Sequence, residues 1–157
     1  MPVYQPNEPF ALLASAARTG TTKSATDTAY GSAVRIANFG RPIRALVAEL
    51  DVTAAAKEAG DKLDVAVQTL VDGNTDDGNW VDVIAFTQVL GNGGAKRYFA
   101  KIAAVTALTM FEAATALTAG NIRDLIGEQL RVKYAITNDA DDPVDTSFTF
   151  AVFGMLV

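Results

Sequence analysis

The stretch from Val71 to Trp80 gathers the side chains best suited to chemistry. Asp72, Asn74, Asp76 and Asp77 stand there with Gly73 and Gly78, just ahead of the chain's one tryptophan. Calcium loops use oxygen donors at alternate positions, and Asp72, Asn74 and Asp76 have the first three spacings of an EF-hand. The remaining positions do not fit. Asp77 stands where the loop needs glycine, and Val83 stands where the chelating glutamate belongs. The flanking residues alternate as strands do, not as helices. A hairpin tip accounts for the stretch: Asp and Asn bond their own backbone, and Gly supplies positive φ. No metal and no cofactor is therefore expected, with Asp72, Asn74 and Asp76 left as the residual candidate ligands.

A second acidic group, Asp139, Asp141, Asp142 and Asp145, lies in a Pro-containing turn. Glycoside cleavage needs two acids at a fixed separation in a cleft. A solvated turn does not offer that, and a solvated calcium site is the other reading. The basic pairs Lys96-Arg97 and Arg131/Lys133 lie beside Tyr98, Phe99 and Tyr134. Strand bases next to aromatics can bind single-stranded nucleic acid. The expected role is plainer: outward bases paired with acids across a sheet. Trp80 reads as core or turn packing. The Gly91–Gly94 run has no following helix and no Lys-Ser/Thr, so it is not a phosphate loop.

The composition narrows the function classes. The chain has 157 residues, half of them apolar, enough for one domain with a real core. It has no cysteine and no histidine. Disulfides and thiolate zinc sites are excluded, and the usual general base near neutral pH is missing. No nucleophile–base pair can be assembled, and a non-enzyme is expected. No basic leader is visible, and no apolar run nears the roughly 18 residues of a membrane span. Synthesis in a cytoplasm is the expectation, without membrane association.

The net charge of −5 is unevenly spread. Residues 1–44 hold five bases, Arg18, Lys23, Arg35, Arg41 and Arg44, and two acids, Glu8 and Asp27. The rest of the chain is strongly acidic. Such a body is poor material for binding nucleic acid, whereas a basic front suits an arm laid on an acidic neighbour.

From about Ile43 the dominant period is two. Leu46, Ala48, Leu50 and Val52 share one face, as do Leu63, Val65, Val67 and Thr69. Leu130, Val132, Tyr134 and Ile136 form a third set, and Phe148, Phe150 and Val152 a fourth. Alternation rich in Val, Ile, Phe and Thr marks half-buried strands. Further strands are expected at "KRYFAKI", "LTMFEAA", "FALLAS" and "SAVRIAN". The expected fold is all-β: an antiparallel β-sandwich or jelly roll with an extended N-terminal arm. Residues 1–42 are the arm, with one or two strands, and residues 43–157 the body. Thr53–Lys62 reads as a loop with one helical turn, and Thr118–Gly127 as one or two turns stopped by Gly127. The polar stretch 18–32 has no apolar face and must lie on the domain, lie on a partner, or move.

The order of the segments "LDVTAA", Gln68…Asp72-Gly73…Trp80 and "SFTFAV" resembles small virion proteins encoded among the head genes of tailed bacteriophages. The resemblance runs from about Ala11 to Val157. Members are compact sandwiches of jelly-roll type, and several are capsid decoration, or cementing, proteins. The acidic hairpin loop is longer here, and Thr53–Lys62 is unusually rich in alanine. The resemblance implies a homotrimer on the outside of the virion shell, with the major capsid protein as partner. Arg18, Lys23, Arg35, Arg41 and Arg44 would be the arm's contacts to acidic neighbours. A body that folds without residues 2–30 goes with that reading. Two alternatives stay open: another virion part (tail tube, neck or head-completion protein), or a sandwich that binds a ligand such as carbohydrate.

Overall fold

The computed structural model describes residues 3–4, 7–22, 24–36, 43–70, 79–103, 111, 115–139 and 146–157. Its elements are strands: β1 (Val3–Tyr4), β2 (Pro9–Thr19), β3 (Thr26–Tyr30), β4 (Val34–Ile36), β5 (Ala45–Ala54), β6 (Lys62–Leu70), β7 (Trp80–Ala85), β8 (Val89–Leu90), β9 (Lys96–Ala103), β10 (Gln129–Thr137) and β11 (Ser147–Leu156). No α-helix occurs among the described residues. The larger sheet runs β1-β4-β10-β6-β7, with β3 also on β10 and β8 also on β6. The smaller sheet runs β2-β11-β5-β9. Pairing is antiparallel except for the short β1–β4 contact. The protein is an all-β sandwich.

Its core follows the alternation. Leu46, Ala48, Leu50 and Val52 of β5 are fully buried, while Val47, Glu49 and Asp51 between them are partly exposed. Leu63, Val65 and Val67 of β6 and Leu130, Val132 and Ile136 of β10 supply the facing layer. Phe148, Phe150, Val152 and Leu156 of β11 fill the space between the sheets. Burying each such side chain contributes about 1.5–3 kcal/mol. The last strand is central, flanked by β2 and β5.

The front of the chain belongs to both sheets. β2 pairs with β11 along its length, and Phe10 and Leu12 enter the core. β3 and β4 then follow one another down the edge of β10, linked by Gly31 N–H donating to Val132 O at 2.7 Å. The polar stretch 18–32 therefore lies on the domain where it is described. It needs no apolar face, because ladder bonds to β10 satisfy its backbone. A truncation of residues 2–30 would remove β1, β2 with its core side chains Phe10 and Leu12, and β3. Between β2 and β3, Asp27 closes the turn. Its carboxylate accepts the Thr22 hydroxyl at 2.7 Å and the Thr21 and Thr22 N–H groups at 2.6 and 2.9 Å.

Two local expectations need correction. Residues 55–61 form bends and a turn, not a helical turn, and Thr53 and Ala54 finish β5. Residues 118–127 are not helical either. Gly120 N–H donates to Ala85 O, Ala85 N–H to Asn121 O, and Arg123 N–H to Val83 O, and Ile122 bridges to Ile84. The open edge of β7 needs these backbone partners, and that requirement overrides a weak helix preference. Of the expected "LTMFEAA" strand, only Phe111 lies within the described residues.

Two measurements check this account. Phe150 is 0% exposed, and Phe150→Ala is expected to lower stability by about 3–5 kcal/mol in urea unfolding. A loss below about 1 kcal/mol would contradict its placement. Asp27 is held below its ordinary carboxylate range, first by the Thr22 hydroxyl and then by the Thr22 N–H. A lowered folded-state value means its bonds support the fold above the ordinary range and are lost as pH falls through the lowered value. An NMR titration of Asp27 should give a midpoint below that of an unstructured aspartate. The Thr21 and Thr22 amide signals should move with it in the wild type and stay still in Asp27→Asn.

Candidate functional site

Polar side chains concentrate on the outer face of the larger sheet. Register sets Arg131 of β10, Gln68 of β6 and Asp82 of β7 in one cross-strand row. Arg131 Nε donates to Gln68 Oε1 at 2.8 Å, and Gln68 Nε2 donates to Asp82 Oδ1 at 2.8 Å. The Arg131 guanidinium lies over the Tyr30 ring at 4.2 Å and the Trp80 ring at 4.4 Å. Arg131, Gln68 and Asp82 are all buried. This corrects the expectation of an outward base at 131. Two aromatic faces and an amide replace water around the guanidinium.

A neighbouring segment closes over the Asp82 end of the row. Asp82 Oδ2 accepts the Leu117 N–H at 3.2 Å, and Arg123 Nη1 donates to Asp82 O at 2.9 Å. Asp124 Oδ1 accepts the Ala103 N–H at 2.8 Å, tying the same segment to the end of β9. Gly127 N–H donates to Thr69 Oγ1, which donates on to Gln129 O. β7 is consequently buried on both faces, with Trp80 4% exposed.

Beside the row the face is hollow. Ala66 and Ala85 are register partners, and Ala135 lies on the next strand. These short side chains leave a depression of about 270 Å³, walled by Thr28, Asp64, Asp82, Lys133 and Leu117. Both carboxylates are already occupied. Asp64 accepts Gln88 Nε2 at 2.9 and 3.1 Å, and Asp82 takes the bonds given above. The geometry offers a small, largely apolar pocket with Thr28, Asp64, Asp82 and Lys133 at its wall. Among the described residues, no group of three His, Cys, Asp or Glu side chains converges to hold a metal.

The outer face of the smaller sheet is different. One cross-strand row reads Ala11, Phe153, Glu49, Phe99, and its neighbour reads Pro9, Met155, Val47, Lys101. Phe99 is 67% exposed and Phe153 37%. Arg97 pairs with Glu49 at 2.9 Å and Asp51 at 3.5 Å, the cross-sheet pairing expected of that base.

The candidate arm residues are scattered. Arg18 is turned onto its own chain: Nη1 donates to Ala16 O and Phe150 O, and Nη2 to Ala14 O. Arg35 on β4 and Arg44 before β5 are exposed. Lys23 and Arg41 lie outside the described residues, as do Asp72, Asn74 and Asp76. Sequence reading missed Asp82 and Gln68, whose only signal was polarity inside a strong strand. Comparison with protein-family models and with curated proteins finds no match for the chain.

Arg131→Met is expected to cost about 2–4 kcal/mol, from lost cation–π contact and a charged hydrogen bond. It should also shift the emission of Trp80, the sole tryptophan. Unchanged stability and unchanged emission would contradict the stacked arrangement.

Proposed function

We propose that the chain is a structural subunit of a tailed-phage virion, a decoration protein that stabilises the outside of the head shell. The observation that carries this reading is the contrast between the two outer sheet faces. Residues 117–127 cover the β7 side of the larger sheet, and its exposed apolar side chains, Tyr30, Leu90 and Ile122, stand on separate elements. The smaller sheet leaves Phe99 and Phe153 in solvent, in one row with Glu49 and beside Arg97 and Lys101. Grouped exposed aromatics on a rigid sheet suit a protein partner. The shared phrases with head-gene proteins direct that partner toward the major capsid protein and further copies of the chain. A homotrimer multiplies weak footprints on a symmetric lattice. Arg35 and Arg44, both exposed, remain the described candidates for contacts to acidic neighbours. Arg18 is better accounted for by its bonds within the chain.

A second reading rests on the alanine-floored depression, which has room for a small polar ligand such as a sugar. Another place in the virion, such as tube or neck, is separated by images: rings or stacked tubes against compact oligomers.

The purified protein is expected to run in solution at a multiple of its 16.5 kDa mass and to co-sediment with capsids. Phe99→Asp should reduce both by tenfold or more, and Arg35→Glu with Arg44→Glu should weaken capsid binding in a salt-dependent way. A monomer that ignores capsids, or Phe99→Asp without effect on either readout, would overturn the proposal.

A further inference from the structure

The turn after β5 carries Asp61 into the interior. Asp61 is 1% exposed. Its Oδ1 accepts the Asp139 N–H at 3.2 Å, whereas its Oδ2 is enclosed and has no hydrogen-bond partner among the described residues. A carboxylate oxygen buried this way is costly unless a cation or donor meets it.

Three loops close on this point. Asp61 N–H donates to Glu58 O at 3.2 Å, and Gly91 N–H donates to Asp61 O at 2.8 Å. Two glycines permit the approach. A Cβ on Gly60 would stand 1.2 Å from Asp139 Oδ2, and one on Gly91 would stand 1.7 Å from Glu58 O. The Asp139 carboxylate thus lies against Gly60, the residue before Asp61. The Asp61 and Asp139 side chains flank Gly60 and the Asp61 main chain, beside the Glu58 and Asp61 carbonyls, each of which accepts one N–H.

We propose that this junction is a cation site, and that its ion is calcium, held by Asp61 Oδ2 and the Asp139 carboxylate, with main-chain and water oxygens completing the shell. The donors are all oxygen, and the chain has neither His nor Cys to favour a softer metal. Calcium accepts six to eight oxygens in irregular geometry, whereas magnesium requires a near-octahedral set. A site built by loops with two charged ligands fits calcium better. The ion would join the 55–61 turn, the turn after β8 and the end of β10. It would stabilise the folded chain by binding it alone. The proposal does not depend on the virion reading.

The test is thermal unfolding of the full chain, first with chelator and then with millimolar calcium chloride, alongside calorimetric titration with calcium. The wild type is expected to melt higher with calcium and to bind one ion per chain. Asp139→Asn, at an exposed position, should keep the strand circular dichroism and lose the shift. Asp61→Asn should lose it too, and Asp72→Asn with Asp76→Asn should retain it. No shift in the wild type would overturn the proposal. So would a shift that survives in Asp139→Asn, which includes the case where only the Asp72/Asp76 variant abolishes it.

Discussion

Arg18 sits where the two sheets and the front of the chain meet. Its guanidinium lies 4.6 Å from the Phe150 ring of the smaller sheet and 5.4 Å from the Tyr134 ring of the larger one. Those two rings meet edge to face at 5.4 Å. The same guanidinium bonds the carbonyls of Ala14, Ala16 and Phe150. One cation therefore joins β2, β10 and β11. After it the chain leaves the smaller sheet and crosses to the larger, where β3 and β4 close the edge of β10. The crossing fixes both sheets to one segment, so the sandwich cannot open at that side without breaking a ladder in each sheet. A partly buried guanidinium with carbonyl partners and aromatic faces is worth more than an exposed pair, because water competes less for it.

The two outer faces follow from where the chain goes next. β7 is short and ends the larger sheet in the described pairings. Residues 117–127 return along it, satisfy its backbone edge and bond Asp82, while Arg131 is stacked on Tyr30 and Trp80. Polar groups there become internal, and each needs a partner. The smaller sheet receives no such cover over Phe153 and Phe99. Its outer surface mixes aromatics, Val47 and Met155 with a small charge cluster. The larger sheet's face is closed over at β7, and the smaller sheet's face presents Phe99 and Phe153 to solvent. That asymmetry is what the proposed assembly role rests on.

Much of the fold was legible. In β5, β6, β10 and β11 one face is apolar and the other polar, so the period of two appears directly in the sequence. β3 was not legible, because "TDTAY" is held by main-chain bonds to β10 and shows no apolar face. Residues 118–123 were misread for a related reason: their conformation answers to the edge of β7, a long-range demand invisible to local propensity. Arg131 was misread because charge usually marks solvent. Its aromatic partners, Tyr30 and Trp80, lie far away in sequence, and only the sheet register brings them together. Of the candidate site, Phe99 was noticed beside bases but not as an exposed aromatic. Exposure on a strand depends on which face the partner sheet occupies.

We propose the outer face of the β2-β11-β5-β9 sheet as a contact surface in a virion shell. Electron cryo-microscopy of phage capsids incubated with the purified chain tests it most directly. The account expects added density on the capsid exterior into which the sandwich fits, with Phe99 and Phe153 against the shell or a neighbouring copy. Bare capsids would contradict it. So would bound density in which that face points to solvent while the covered face makes the contacts.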